Sequence, residues 1–488
     1  MGVWSRFFSS SRGVKTYRMF IGGEWVRSSN KATFDVINPA NRKLVGRVQK
    51  ATREDADKAI KSAWNARKTI SSMPLIERAR MLERLADLIE KYQKDFVDIL
   101  VQEAGKPVCY AEGEVKAGIE RLRFSMEEAK AIRGEYIPGD LVPDTVGKFA
   151  IVNRKPYGVV LAISPFNYPF FISITKISPA ILAGNSVVLK AASDDPICML
   201  MFARLAELAG IPEGVLNVIT GSGSEIGDFM VSHPKVGMIS FTGSSAAGKH
   251  IASVAGMKKL HLELGGKCPG IVFEDADMDL AVRECVKGAL KFSGQRCDSL
   301  SRILVQEKIA NTFVKKVLAE VKNWKVGDPR KKSTRIGPLI NEKAADKVEE
   351  LVRDAVSKGA RLLTGGKRRG LYFEPTVLDR VKANMRIAWE ETFGPVVTII
   401  RFRTFDEAIK ISNQSGYGLD ASVFTRDIDK AVKAANLLEC GSVTINAAPA
   451  HGLGNFPFGG DKDSGIGREG LVYSVEEMTK LHTIVFKT

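Results

Sequence analysis

The chain has 488 residues, 44% of them hydrophobic and 26% charged, enough to bury two or three domains of ~150 residues each and unlike a fibrous or disordered protein. Its best apolar stretch, around Cys198 to Ile211, is broken by Arg204 and falls short of the ~18 to 20 residues that cross a bilayer, so no membrane role is expected. The 72 Lys and Arg against 56 Asp and Glu give +16. These charges lie scattered along helical stretches with no aromatic RNA-binding signature, which points to solvated surface or small anionic ligands and away from nucleic acid.

The start, MGVWSRFFSSSRGVKTYR, is basic and Ser-rich, and the first acidic residue is Glu24. It fits a mitochondrial transit peptide, or a short disordered extension of a cytoplasmic protein, and residues 1–18 are set apart as an extension. Arg53 to Arg67 and Leu75 to Glu103 are predicted as long surface helices covering a sheet. From Gly158 onward the runs Gly158 to Ile163, Ser186 to Lys190, Leu216 to Ile219 and Val236 to Phe241 alternate with helical stretches such as Met199 to Ala209, stopped by Gly210 and Pro212. That rhythm predicts a doubly wound parallel sheet, with ligands beyond the carboxyl ends of its strands. A second α/β series begins near Gly270 and includes Arg302 to Val305, the helix Ala310 to Val321, Val396 to Arg403 and Gly441 to Ile445. The six cysteines, Cys109, Cys198, Cys268, Cys285, Cys297 and Cys440, include no C-x-x-C pair. Neither a metal site nor a disulfide framework is expected, and a reducing compartment follows.

Cys297 follows Phe292-Ser293-Gly294-Gln295-Arg296 at the end of the helical stretch Leu280 to Lys291, on a turn between the two α/β units, where function usually lives. A cysteine taken blindly is more often buried structure than nucleophile; Arg296 beside it is expected to lower the thiol pKa. Glu263 stands between two leucines before Gly265-Gly266-Lys267. Burial would raise its pKa and make it a general base for water, whereas a strand-end glutamate paired with Lys267 is an equally good reading. Gly243 to Lys249 nearly matches a Walker A loop, but His250 stands where the metal-holding hydroxyl belongs, which argues against nucleotide hydrolysis. Gly221 to Gly227, with Gly223 inside it, misses G-x-G-x-x-G by one residue and by itself marks a strand-to-helix turn.

Five segments together resemble the motif set of the aldehyde dehydrogenase superfamily, in its order and spacing: Ile163 to Pro169, Glu263 to Lys267, Gly294 to Cys297, Glu390 to Pro395 and Pro457 to Gly460. The similarity runs from about Met19 to the C-terminus. It implies a Rossmann-like cofactor domain (19–131 and 156–262), a second α/β catalytic domain (263–468) and a small β oligomerisation element (132–155 and 469–488), and hence a homo-oligomer, dimer or tetramer. It also implies that Cys297 is the nucleophile, that Asn167 and the Cys297 N–H form the oxyanion hole, and that Glu263 activates the hydrolytic water. NADP or NAD would be held by Ser164, Pro165, Phe166, Lys190, Ser193, Gly223, Phe241, Gly243, Ser244, Leu264, Glu391 and Phe393. Lys176 and Glu469 match positions of a proton path. A CoA-acylating enzyme would lack Glu263, and a silent structural member would lack Cys297 or Glu263.

Within the family the chain resembles the archaeal non-phosphorylating glyceraldehyde-3-phosphate dehydrogenases, with lactaldehyde and semialdehyde dehydrogenases close behind. This implies a small phosphorylated aldehyde substrate, with Arg296 and Tyr168 at its phosphate and Arg121, Arg123 and His451 adding cationic groups to the tunnel. Two departures weigh against it: bacterial and plant members place arginines where His451 and Ala117 stand.

Overall fold

The computed structural model describes residues 3–4, 6–11 and 13–488. Strands Val159–Ile163, Ser186–Lys190, Leu216–Ile219 and Met238–Thr242 are buried almost throughout, because helices cover both faces and a continuous apolar run is what such a position demands. With Lys259–Glu263 they form a parallel sheet in the spatial order fifth, fourth, first, second, third. The winding therefore reverses at Val159–Ile163, and a crevice opens beyond Ile163 and Thr242. Two antiparallel strands, Met19–Ile21 and Glu24–Val26, extend one edge. The other edge is closed by Gly465–Ile466 pairing with Lys259–Glu263, so a segment assigned by sequence to the second α/β unit completes the first sheet.

The second sheet has seven strands, ordered Arg361–Thr364, Thr376–Asp379, Val396–Phe402, Leu300–Gln306, Cys268–Val272, Asp420–Phe424 and Ser442–Ile445. All but the first are parallel. Thr479–Lys487, Lys148–Pro156 and Glu135–Pro138 make a separate antiparallel sheet, on which Tyr136, Leu481 and Val485 are more than half exposed. The helix between them, Leu471–Glu477, packs on Pro169–Leu182 under the first sheet. No helix among the described residues is long and apolar enough to cross a membrane.

The described residues of the N-terminal stretch, 3–4, 6–11 and 13–18, pack against the fold. Phe8–Ser11 and Val14–Tyr17 form a hairpin that joins Leu44–Gln49 and Thr33–Ile37 in a four-stranded sheet. Phe7 is buried among Trp4, Tyr17 and Trp25. Trp4 Nε1 donates to Asp95 at 2.8 Å, and Arg204 Nε donates to the Val3 carbonyl at 3.0 Å. The basic charges of this stretch drew attention away from its aromatic residues, whose burial anchors it. The predicted helix Leu75 to Glu103 is two, Leu75–Lys91 and Gln93–Glu103, broken at Tyr92.

Candidate active site

At the switch point a cleft of about 1250 Å³ is lined by all twelve residues assigned above to the cofactor, together with Asn167 and Cys297. Ser244 caps helix Ser245–Val254, its hydroxyl accepting from the Ala247 N–H at 3.3 Å. The other N–H groups of that first turn are free to meet an anion. The hydroxyls of Ser164 and Thr242, at the carboxyl ends of the two strands flanking the crevice, are buried without a protein partner, and an ordered ligand would satisfy them. Lys190 Nζ lies 3.4 Å from Ser193 Oγ; burial pushes its pKa down to about 8 against the pull of Asp194 and Asp195. On the far wall Glu391 Oε1 accepts from the Gly266 N–H at 3.1 Å. The Phe393 ring, on backbone with φ 50°, meets Phe166 edge-on at 5.7 Å.

Cys297 closes the inner end of the cleft. It follows three successive left-handed residues, Phe292 (φ 51°), Ser293 (φ 56°) and Gly294 (φ 70°), a costly conformation for a bulky residue such as phenylalanine. The turn is held by Ser293 Oγ on the Gly337 carbonyl at 3.0 Å, by the Ile340 N–H on Gln295 Oε1 at 3.0 Å, and by the Lys106 ammonium 4.2 Å from the Phe292 ring. A Cβ on Gly294 would lie 2.1 Å from the Gly394 carbonyl oxygen, and one on Gly266 would lie 2.2 Å from that of Cys297. Both glycines therefore let backbone approach backbone around Cys297. Asn167 Nδ2 donates to the Gln295 carbonyl at 3.1 Å, beside Cys297. The loop carrying Asn167 is clamped from below: Lys106, fully buried and paired with Glu114, donates to the Asn167 carbonyl at 2.6 Å. Glu114 also accepts from the N–H groups of Phe170 and Phe171.

Burial pushes the Cys297 thiol well above its ordinary pKa, and Asp298 and Cys268 push the same way. The expected lowering by Arg296 is outweighed by burial and by Asp298, to which that guanidinium is bound at 2.5 Å. Glu263, at the end of its strand, is 2% exposed with both carboxylate oxygens unpartnered. Burial raises it far above the carboxylate range, Glu469 adds to the rise, and Lys176 and Arg468 oppose it. Lys267 is not its partner; that ammonium donates to Thr392 Oγ1 at 2.8 Å.

The aldehyde dehydrogenase family profile matches residues 25–484. The chain belongs to the aldehyde dehydrogenase family. It is 44% identical over 474 residues to the NADP-dependent glyceraldehyde-3-phosphate dehydrogenase of Streptococcus equinus, covering 97% of this chain and 99% of that one. It is 41% identical over 472 residues to the 3-sulfolactaldehyde dehydrogenase of Priestia megaterium, covering 97% and 98%. The solved glyceraldehyde-3-phosphate dehydrogenase of Methanocaldococcus jannaschii, in complex with NADP, superposes with a TM-score of 0.90 at 39% identity, covering 93% of this chain and 99% of that one.

In this aldehyde dehydrogenase the residues expected at the substrate divide into two sets. Tyr168, Arg296 and His451 gather near Cys297. The Tyr168 ring stacks over Lys106 at 3.9 Å and burial raises its phenol. Arg296 also donates to the Pro449 carbonyl at 3.3 Å. His451 Nε2 lies 3.1 Å from Asp420 Oδ1; burial alone would depress that imidazole, but Asp420 holds it above its usual value. Arg121 and Arg123 do not join them. Arg121 is buried against Glu128 and the Gly470 carbonyl, and Arg123 is exposed and paired with Asp87 and Glu90 on the neighbouring helix. Three sets of residues escaped the sequence reading. Asp298 and Asp420 neutralise the two cations. Helix Glu342–Ser357 brings Lys343 and Lys347 over the cleft. His261 sits beside Glu263. Two of these are ordinary amphipathic or acidic positions with no motif, and only His261, two residues before Glu263 on one strand face, carried a signal.

Proposed function

We propose that the chain oxidises a small phosphorylated aldehyde, glyceraldehyde 3-phosphate foremost, to its carboxylic acid, using NADP⁺ and accepting NAD⁺ alongside. The observation that carries this reading is the single cleft in which an anion-ready helix start, Lys190 and Ser193, Asn167 and Cys297 all converge. Ser244 and its helix start hold the pyrophosphate, Lys190 and Ser193 the adenosine ribose, and Glu391 and Phe393 the nicotinamide end. Ser193 carries no charge where a carboxylate would repel a 2′-phosphate. When bound, the cofactor supplies the hydride acceptor.

Cys297 Sγ attacks the aldehyde carbon, and the Asn167 amide with the Cys297 N–H holds the oxyanion. Loss of hydride from that adduct leaves a thioester on Cys297. Glu263 draws a proton from water, which attacks the thioester and frees the acid and the thiol. Tyr168, Arg296 and His451 orient the anionic end of the substrate. Support comes from relatives whose aldehydes are short and anionic, one a phosphate and one a sulfonate. The first sheet works as the cofactor domain and the second as the catalytic domain. The exposed apolar sheet of 135–156 and 479–487 joins copies into a cytoplasmic homo-oligomer.

The test compares kcat/KM for glyceraldehyde 3-phosphate, glyceraldehyde, lactaldehyde and succinic semialdehyde in the wild type and Arg296→Ala. The phosphate should gain at least about 10-fold, ~1.4 kcal/mol, from charge-assisted hydrogen bonds, and Arg296→Ala should lose that gain. No gain, or a gain that survives Arg296→Ala, favours a lactaldehyde, semialdehyde or broad-specificity enzyme, a reading to which the existing Arg296–Asp298 pair lends weight.

A further inference from the structure

Glu263 has a neighbour to which nothing above gives a role. His261 lies two residues earlier on the same face of strand Lys259–Glu263, is 3% exposed, and places Nε2 at 3.4 Å from Glu263 Oε1. Neither that nitrogen nor either Glu263 oxygen makes a hydrogen bond to any protein group, each other included. On its far side His261 Nδ1 meets Ser240 Oγ at 3.3 Å, and Ser240 stands directly opposite it in the parallel register. Gly467, in left-handed backbone with φ 93°, presses on the imidazole so closely that a Cβ there would lie 2.7 Å from Cδ2. The ring is thus wedged beside the carboxyl group, at hydrogen-bond distance but not at hydrogen-bond angle, so a small rotation of Glu263 joins them. The charged groups around the pair are Lys259 on the same strand, itself bound to Glu477, Lys176 on helix Pro169–Leu182, Arg468 and Glu469 after strand Gly465–Ile466, and Asp420 at the start of strand Asp420–Phe424.

Resting on the assignment of Glu263 as the deacylating base, we propose that His261 is the proton acceptor behind Glu263, so that the two side chains work as one relay in thioester hydrolysis. Burial holds this carboxyl group towards the neutral acid, a poor acceptor for water's proton, and burial with Lys176, Lys259 and Arg468 holds the His261 imidazole neutral, so that its free nitrogen is open to a proton only while the reaction passes one on. In the tautomer with Nδ1–H donating to Ser240 Oγ, Nε2 is the unprotonated nitrogen, 3.4 Å from Oε1. As water attacks the thioester carbon, its proton moves to Oε2 while the Oε1 proton moves to Nε2. The new C–O bond forms, the C–Sγ bond breaks, and Cys297 leaves as the thiolate. The imidazolium then returns its proton through Glu263 to that thiolate. Thioester and water become acid and thiol, with no net redox change. His261 touches neither aldehyde nor cofactor and is a positioning residue acting through Glu263.

The measurement is the pre-steady-state burst of NADPH and the following steady rate, across pH, for the wild type, His261→Gln, Ser240→Ala and Glu263→Gln. His261→Gln should keep the full burst, which reports intact acylation, but lose at least about 10-fold in steady rate near neutrality, the low end of what acid–base catalysis contributes. Its rate should recover as pH rises, because ionised Glu263 needs no acceptor. Ser240→Ala should show the same pattern more weakly, and it decides the matter if His261→Gln gives no burst. A steady rate and pH profile unchanged in His261→Gln, or in Ser240→Ala where that variant decides, would overturn the relay while leaving Glu263 as the base. Wild-type turnover in Glu263→Gln would instead overturn the assignment on which the relay rests.

Discussion

At the scale of single residues, the fate of a charge depends on its partner, which a sequence does not display. Arg121 and Arg296 look alike as letters, yet one is buried against Glu128 and the other against Asp298 at the nucleophile. The residues proposed to hold the cofactor were legible through the resemblance to the family, and all of them line one cleft, whereas Asp298 and Asp420 carry no such mark. Lys190 shows what burial does to a legible residue. Its pKa is pushed down to about 8, so its charge is lost where an ordinary lysine keeps it. The protonated form attracts a 2′-phosphate. The KM for NADP⁺ should therefore be flat below about pH 8 and rise as pH climbs above it, while that for NAD⁺ changes less. Initial-rate measurements over that range check this, and a KM for NADP⁺ independent of pH would contradict it.

At the scale of elements, the parallel strands declared themselves through buried apolar runs, and their ends fell within a few residues of expectation. What stayed hidden were pieces too short or too mixed to show a period. Gly465–Ile466 is a two-residue strand whose pairing with Lys259–Glu263 is a matter of tertiary placement. The break at Tyr92 lies inside an unbroken helical pattern. The N-terminal stretch reads as a transit peptide or a short extension from its charge, and its hairpin, held by aromatic packing, leaves no mark in such a count. Phe7 tests its place in the fold: it is 1% exposed and ringed by aromatic residues. Phe7→Ala should cost about 3 to 5 kcal/mol, the usual loss for emptying such a site. Thermal unfolding monitored by calorimetry would show a lower midpoint, with activity per folded molecule unchanged. An unaltered midpoint would mean that the hairpin contributes nothing to the core.

At the scale of the whole molecule, the residues proposed as nucleophile and base come from different sheets. Cys297 precedes the second sheet's strand Leu300–Gln306, and Glu263 ends the outermost parallel strand of the first. Gly265 and Gly266 join the two, with no side chain to hold the Cys297 backbone away. The two chemical steps are accordingly divided between the two halves, and removing one residue should stop the reaction at a known point. The most direct test is the intact mass of the Glu263→Gln protein after mixing with glyceraldehyde 3-phosphate and NADP⁺. The account predicts one equivalent of NADPH per active site, a mass gain equal to one acyl group, localised to Cys297 by peptide mapping, and no adduct in Cys297→Ala. Continued turnover by Glu263→Gln, or an acyl group on any other residue, would contradict it.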